Sequence, residues 1–275
     1  MAPPDYKDLF SIEGKTALVT GASSGIGSRF SVFLASQGAS VVVAARRKDK
    51  LQDLVQEIEK AGGKAKAVEL DVSADQESIK RSVDEAWAAF GKLDILVNNA
   101  GTAGGEGLLN DRQETFDKIF NTNVRGLYFT AQAVAKLMVD HDVTGRIVNT
   151  SSIAGAEMVT VGYAIYSASK AAIIQLTRAM AVELAPKGIN VNSIAPGVFP
   201  SEMSSPFTES EQAKQVQKAL PARRYGDTEK DMMGVLLLLV SEKASQYIVG
   251  VTIPVDGGHS LYTMDLSNPT AIFEE

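Results

Sequence analysis

Residues 16–37 read TALVTGASSGIGSRFSVFLASQ, and within this stretch the apolar pattern changes period. Thr16–Thr20 is a short, apolar run with β-branched residues, as expected of a buried strand. Beyond the glycines the spacing becomes helical and runs to about Gln37. The join holds Gly21, Gly25 and Gly27 with Ser23, Ser24 and Ile26 between them, a Gly-x3-Gly-x-Gly pattern. Glycines allow a tight turn and let a pyrophosphate approach the main chain, while a helix N-terminus offers unpaired N–H groups and partial positive charge. Strand, glycine turn and helix thus lay out a phosphate cradle. The spacing departs from the commonest dinucleotide fingerprint, G-x-G-x-x-G, and taken alone would also suit a plain tight turn.

Working outward, the same beat repeats. Strand-like runs are predicted at Thr16–Thr20, Ser40–Ala45, Ala65–Leu70, Ile95–Asn98, Arg146–Thr150, Asn190–Ile194 and Thr252–Val255, mostly apolar as strands buried on both faces are. Helical segments fill the gaps, long enough for right-handed crossovers between parallel neighbours. The expected fold is α/β, a doubly wound parallel sheet with helices on both faces. No linker or composition break divides the chain, so residues 1–275 read as one domain. Residues 198–226 are polar and resemble a lid or binding loop.

Composition removes several classes of function. With 27 basic and 33 acidic residues the net charge is −6, the wrong sign for a nucleic-acid partner. There are no cysteines and only two histidines, His141 and His259, so thiolate chemistry is excluded and no metal is expected. The longest apolar run, Val235–Val240, reads as a buried helix too short to cross a bilayer. Residues 1–15 lack the apolar core of a signal peptide, which makes a cytoplasmic location the expectation.

The end of the second strand reads Ala44-Ala45-Arg46-Arg47-Lys48. A carboxylate there would hold the ribose hydroxyls of NAD, whereas arginine accommodates the 2′-phosphate of NADP. Cations at a helix start oppose the macrodipole and so need a reason. NADP(H) is the expected cofactor, with Arg46 as phosphate ligand and Arg47 assisting. Asp71 reads equally as an adenine contact or a helix N-cap, a job for which Ser73 competes.

Three further positions carry possible chemistry. Tyr166 and Lys170 stand at i and i+4, on one helix face. A neighbouring ammonium favours phenolate and is expected to lower the phenol's pKa from about 10 toward a usable range. Tyr163 has Ser167 at i+4 and lacks that cation. Ser152, at the carboxyl edge of the fifth strand, can hydrogen-bond a carbonyl oxygen, while Ser151 reads as a turn residue. Asn123 could anchor a water bridging to Lys170 or mark a helix irregularity satisfied locally.

Taken in order, TGASSGIG, Asn98-Asn99-Ala100-Gly101, Asn123, Ser152, YSASK and Pro196-Gly197 resemble the short-chain dehydrogenase/reductase family over residues 12–260. The resemblance implies a seven-stranded Rossmann-type sheet and a catalytic tetrad of Asn123, Ser152, Tyr166 and Lys170. It implies cofactor contacts from Gly21, Ser23, Ser24, Gly25, Ile26, Gly27, Arg46, Arg47, Asp71, Val72, Asn98, Ala100, Gly101, Tyr166, Lys170, Pro196, Gly197, Val198 and Ser201. Ser201 stands where threonine is common in the family, and residues 259–275 extend past its typical end. The implied activity is NADPH-dependent reduction of a small-molecule ketone to a secondary alcohol. The alternatives are a 3-oxoacyl-carrier-protein reductase, with Lys187, Arg223 and Arg224 as a basic entrance and Val139-Asp140-His141-Asp142 against it, and a non-enzymatic NADP-sensing protein. Candidate pocket walls include Thr102, Ala103, Ile153, Glu157, Met158, Tyr163, Val198 and Phe199. A homotetramer, or failing that a dimer, is expected from Ala164, Ala168, Ala171, Ala172 and Ala179 together with Phe129, Val134 and Leu137.

Overall fold

The structure, a computed structural model, describes residues 6, 8–156, 158, 161–208 and 211–261. Its strands are β1 (Thr16–Thr20), β2 (Ser40–Ala45), β3 (Lys64–Glu69), β4 (Ile95–Asn98), β5 (Arg146–Thr150), β6 (Asn190–Pro196) and β7 (Thr252–Val255). They form one seven-stranded sheet in the order β3-β2-β1-β4-β5-β6-β7, with every pairing parallel. β6 runs past its expected end because Ala195 and Pro196 still pair with Pro254 and Val255.

Alternation along each strand serves two separate layers. Ala17 and Val19 of β1 join Val41 and Val43 in a core covered by α1 (Gly25–Ser36), α2 (Lys48–Lys60) and the late apolar helix Met233–Val240. Leu18, Val42, Leu96 and Ile147 face the other core, covered by α3 (Gln76–Phe90), the helix Leu127–Asp140 and the helix Ala164–Leu184. The expectation of strands buried on both faces fails at the two edges. β3 exposes Lys64, Lys66 and Glu69 and β7 exposes Pro254; charge and proline are tolerated where one side lacks a partner strand.

Numbered in chain order, α4 is Gln113–Phe120, α5 Leu127–Asp140 and α6 Ala164–Leu184; α7 (Ser205–Thr208) and α8 (Glu211–Ala219) lie in the segment that follows β6, and α9 is Met233–Val240. α4 runs into α5 through a widened π turn, Asn121–Gly126. The start of α3 is capped by Asp75, which accepts from Ser78 N–H at 2.9 Å. Neither Asp71 nor Ser73 performs that job. Among the described residues no helix is long and apolar enough to span a membrane.

β1 and β4 are neighbours although β2 and β3 lie between them in sequence. The direction in which strands are added thus reverses at β1/β4, and a crevice opens beyond the carboxyl ends of the strands there, where open α/β sheets take ligands. Lys187 ends the turn leading into β6, and His141 follows α5 on the way to β5. Both lie at the amino edge of the sheet. Neither the proposed basic contribution of Lys187 nor the opposing acids around His141 bears on the mouth of the crevice.

Candidate active site

The glycine turn owes its shape to close approach as much as to dihedral freedom. Gly21 and Gly25 have φ of 66° and 57°, the left-handed region in which L side chains are strained. At Gly27 a Cβ would lie 2.4 Å from Asn99 Nδ2 and 2.6 Å from the Gly21 carbonyl oxygen. The turn is stitched to the end of β4: Thr20 Oγ1 accepts from the N–H groups of Asn99 and Ala100 at 3.0 and 3.1 Å, and Asn99 Nδ2 donates to Thr20 O at 3.1 Å. Ser24, the N-cap of α1, makes no side-chain cap bond, and the first turn carries no acid. The orphan N–H groups of that turn therefore remain for an anion. A crowded glycine cradle beneath an uncapped helix start fits the pyrophosphate of a dinucleotide.

The Asn98 side chain is committed within the sheet. Its side chain is buried and donates to Asn149 Oδ1 at 3.1 Å, and Asn149 donates to Thr177 Oγ1 at 2.9 Å. Asn98 ties β4 to β5 and α6, while Asn99, absent from the expected contacts, holds the cradle. Val72 is buried, and its carbonyl oxygen would lie 2.2 Å from a Cβ on Gly126, so the π turn packs directly on the loop that follows β3. Asp71 Oδ1 accepts from Ser73 N–H at 2.9 Å and Ser73 Oγ at 2.6 Å, forming a local turn just beyond the carboxyl end of β3.

Of the two arginines, Arg47 reaches the cradle. Its Nε donates to Ser23 Oγ at 3.1 Å and its Nη2 to Ser24 Oγ at 2.7 Å. Arg46 is exposed beside it. Across the crevice, Ser201 lies over the cradle, its Cβ 3.4 Å from the position a Cβ on Gly25 would take. Gly197 allows the end of β6 to lie against Asp256, whose Cβ would be 2.7 Å from an added Cβ. Val198 lines a cleft with Leu220, Arg224 and Asp256. Phe199 lines the same cleft; it is 4% exposed and packs under Gly226 against the core. Glu157 and residues 262–275 of the tail lie outside the described residues.

Asn123, Ser152, Tyr166 and Lys170 converge beside the cradle. Asn123 is fully buried in the π turn; its Oδ1 accepts from Thr102 N–H at 2.8 Å, and its Nδ2 donates to Thr102 O at 2.9 Å and Ser169 Oγ at 3.0 Å. The helix irregularity is present, but these bonds cross to another loop and to α6. Ser152 Oγ accepts from Ala154 N–H at 3.2 Å, and the same hydroxyl lies near enough to the Tyr166 phenol to favour its ionised form. Ser151 instead donates to Ile194 O at 3.0 Å and is a structural turn residue. Tyr163 packs edge-on to Tyr166, ring centroids 6.3 Å apart. Gly155 keeps the Ser152 turn against α6: a Cβ there would lie 2.4 Å from the Lys170 carbonyl carbon.

The Lys170 ammonium lies 5.7 Å from the centroid of the Tyr166 ring and donates to Thr150 O at 3.0 Å. Burial raises the phenol's pKa above its ordinary value, and the Ser152 hydroxyl offsets part of the rise. Burial lowers Lys170 itself to about 8. A folded pKa below the unfolded 10.5 means the unfolded chain binds more protons between about pH 8 and 10.5, so this group's contribution to stability rises with pH there and is lowest below pH 8. At neutral pH the buried charge costs about 3 kcal/mol. Urea unfolding should show Lys170→Met stabilised at pH 7, with its advantage shrinking toward pH 10.5; a variant less stable at pH 7 would contradict this account.

The sequence profile of the short chain dehydrogenases matches residues 15–212. The chain belongs to this family. A 3-oxoacyl-(acyl-carrier-protein) reductase of Staphylococcus epidermidis is 38% identical over 245 residues, covering 89% of this chain and 98% of that protein. Among solved structures, a short-chain type dehydrogenase/reductase from Mycobacterium marinum superposes with a TM-score of 0.86 at 39% identity, covering 93% of this chain and 99% of the other. A gluconate 5-dehydrogenase from Burkholderia cenocepacia, in complex with NADP and tartrate, gives 0.88 at 32% identity with coverage of 93% and 99%. The short-chain dehydrogenase assignment makes this protein an oxidoreductase acting on a small molecule. Asn99 and Gly155 were within reach of the sequence, one inside a quoted motif and the other three residues beyond Ser152; what each touches depends on distant strands and helices.

Proposed function

We propose that this short-chain dehydrogenase is an NADPH-dependent carbonyl reductase that converts a ketone to a secondary alcohol. The convergence of Tyr166, Ser152 and Lys170 beside the glycine cradle carries this reading. A reduced nicotinamide cofactor held there would supply the hydride. Tyr166, kept protonated by burial, delivers a proton to the carbonyl oxygen as negative charge develops on it. Ser152 hydrogen-bonds the same oxygen. Lys170 holds the nicotinamide ribose, and Ser201 the carboxamide. A Cβ on Gly101 would sit 3.4 Å from Asn123 Oδ1 and 3.5 Å from Lys170 Nζ; glycine leaves that space for a water through which the proton is replaced. Asn123 has both amide hydrogens committed, so it would meet that water through the remaining lone pair on Oδ1.

NADPH preference rests on the absence of a carboxylate at the end of β2 and on Arg47 placed against Ser23 and Ser24. Catalytic efficiency with NADPH should exceed that with NADH by at least about tenfold, or about 1.4 kcal/mol. Arg46→Ala/Arg47→Ala should erase the difference. Equal efficiencies in the unaltered enzyme would sink this assignment.

Reduction of a 3-oxoacyl thioester is the second reading, favoured by the name of the Staphylococcus epidermidis relative. Its electrostatic case is thinner than the sequence suggests: Lys187 lies at the far edge of the sheet, and Arg224 is paired with Asp231 through Nη2 and Oδ1 at 2.9 Å. A panel of ketones, β-keto esters, sugars and acyl thioesters assayed with NADPH separates the two readings.

We also infer a homo-oligomer, a tetramer before a dimer. Val134 is fully buried, and Phe129 and Leu137 pack half-buried against the same core, so the fold itself consumes part of the apolar surplus expected on α5. Support rests instead on α6, where Ala164, Ala168, Ala171 and Ala179 are exposed and Val182 is 76% exposed. Closed two-fold symmetry would repeat that face. Light scattering at micromolar concentration should give several chain masses; one chain mass with full activity would refute it.

A further inference from the structure

The guanidinium of Arg47 has a third partner. Its Nε and Nη2 serve Ser23 and Ser24, and its Nη1 donates to Glu202 Oε2 at 3.1 Å. Glu202 follows Ser201 in the segment after β6, far from β2 in sequence, and its side chain is 66% exposed. The pair therefore spans the crevice, from the end of β2 to the segment after β6. With one edge of the fork held by two hydroxyls, the Nη1 side is the part left for an incoming anion, and a carboxylate already stands on it.

We propose that Glu202 is a specificity-determining residue for the cofactor: its carboxylate competes with the 2′-phosphate for Arg47 and sets how strongly that phosphate is rewarded. The proposal rests on the NADPH reading above. A phosphate monoester carries about −1.5 to −2 at pH 7 and three acceptor oxygens, so it outbids one carboxylate for a guanidinium. A nucleotide without that phosphate leaves the Arg47–Glu202 pair intact and gains nothing from Arg47. Because the pair is solvent-exposed, its strength is modest and the displacement is reversible at cellular ionic strength.

Adenosine 2′,5′-bisphosphate and 5′-AMP probe this end of the crevice without touching the substrate side. Titration calorimetry on the full chain at fixed ionic strength should show that Glu202→Gln binds the bisphosphate at least about threefold more tightly, with 5′-AMP changed less than twofold. In an Arg47→Gln background the same substitution should change neither. Tighter binding of both nucleotides alike, unchanged binding, or weaker binding of the bisphosphate would overturn the competition. Failure of the unaltered protein to distinguish the two nucleotides would instead overturn the NADPH reading, and this inference with it.

Discussion

Replacing Tyr166 by phenylalanine should lower turnover by roughly 10²–10⁴-fold, the range for loss of a general acid, while NADPH binding stays within about twofold. The ring remains to fill its place against Tyr163 and beneath the Lys170 ammonium, 5.7 Å from its centroid. Only the phenolic hydroxyl and its proton disappear. Steady-state rates with an accepted ketone, together with cofactor titration by fluorescence, separate chemistry from binding. Tyr163→Phe is the control and should keep most activity, since no lysine shares its helical face. A Tyr166→Phe enzyme retaining more than a tenth of the rate would remove the phenol from the mechanism.

Gly27→Ala should act on the opposite term, weakening cofactor binding by roughly 10–100-fold through forced displacement of the cradle. The added methyl would meet Asn99 Nδ2 at 2.4 Å and the Gly21 carbonyl at 2.6 Å. Asn99 cannot yield without losing its bonds to Thr20 and Gly21, and the carbonyl belongs to the turn itself. Unlike Tyr166→Phe, this variant should recover turnover as NADPH approaches saturation. Unchanged affinity would mean that the turn relaxes freely and is not the cofactor's seat.

The elements that carry the fold were legible because their codes are local. Thr16–Thr20 and Ser40–Ala45 are uninterrupted apolar runs of strand length, and five strands lie at their expected bounds, among them Ile95–Asn98 and Arg146–Thr150. The glycine turn and the i, i+4 placement of Tyr166 and Lys170 are likewise written within a few residues of chain. Tertiary structure decided which way each site group is tuned and which neighbour it meets. Nothing around YSASK states that burial would raise the phenol and bring Lys170 to about 8, because desolvation is imposed by chain segments remote from it. In Asn98-Asn99 the first side chain bonds to β5 and the second to the cradle, a division set by the neighbouring β5 and glycine turn and not by the dipeptide. The meeting of Arg47 with Glu202, 155 residues apart, has no local signal in either stretch. It exists because parallel strands deliver all their carboxyl ends to one edge of the sheet, where residues from every part of the chain are brought within hydrogen-bonding reach.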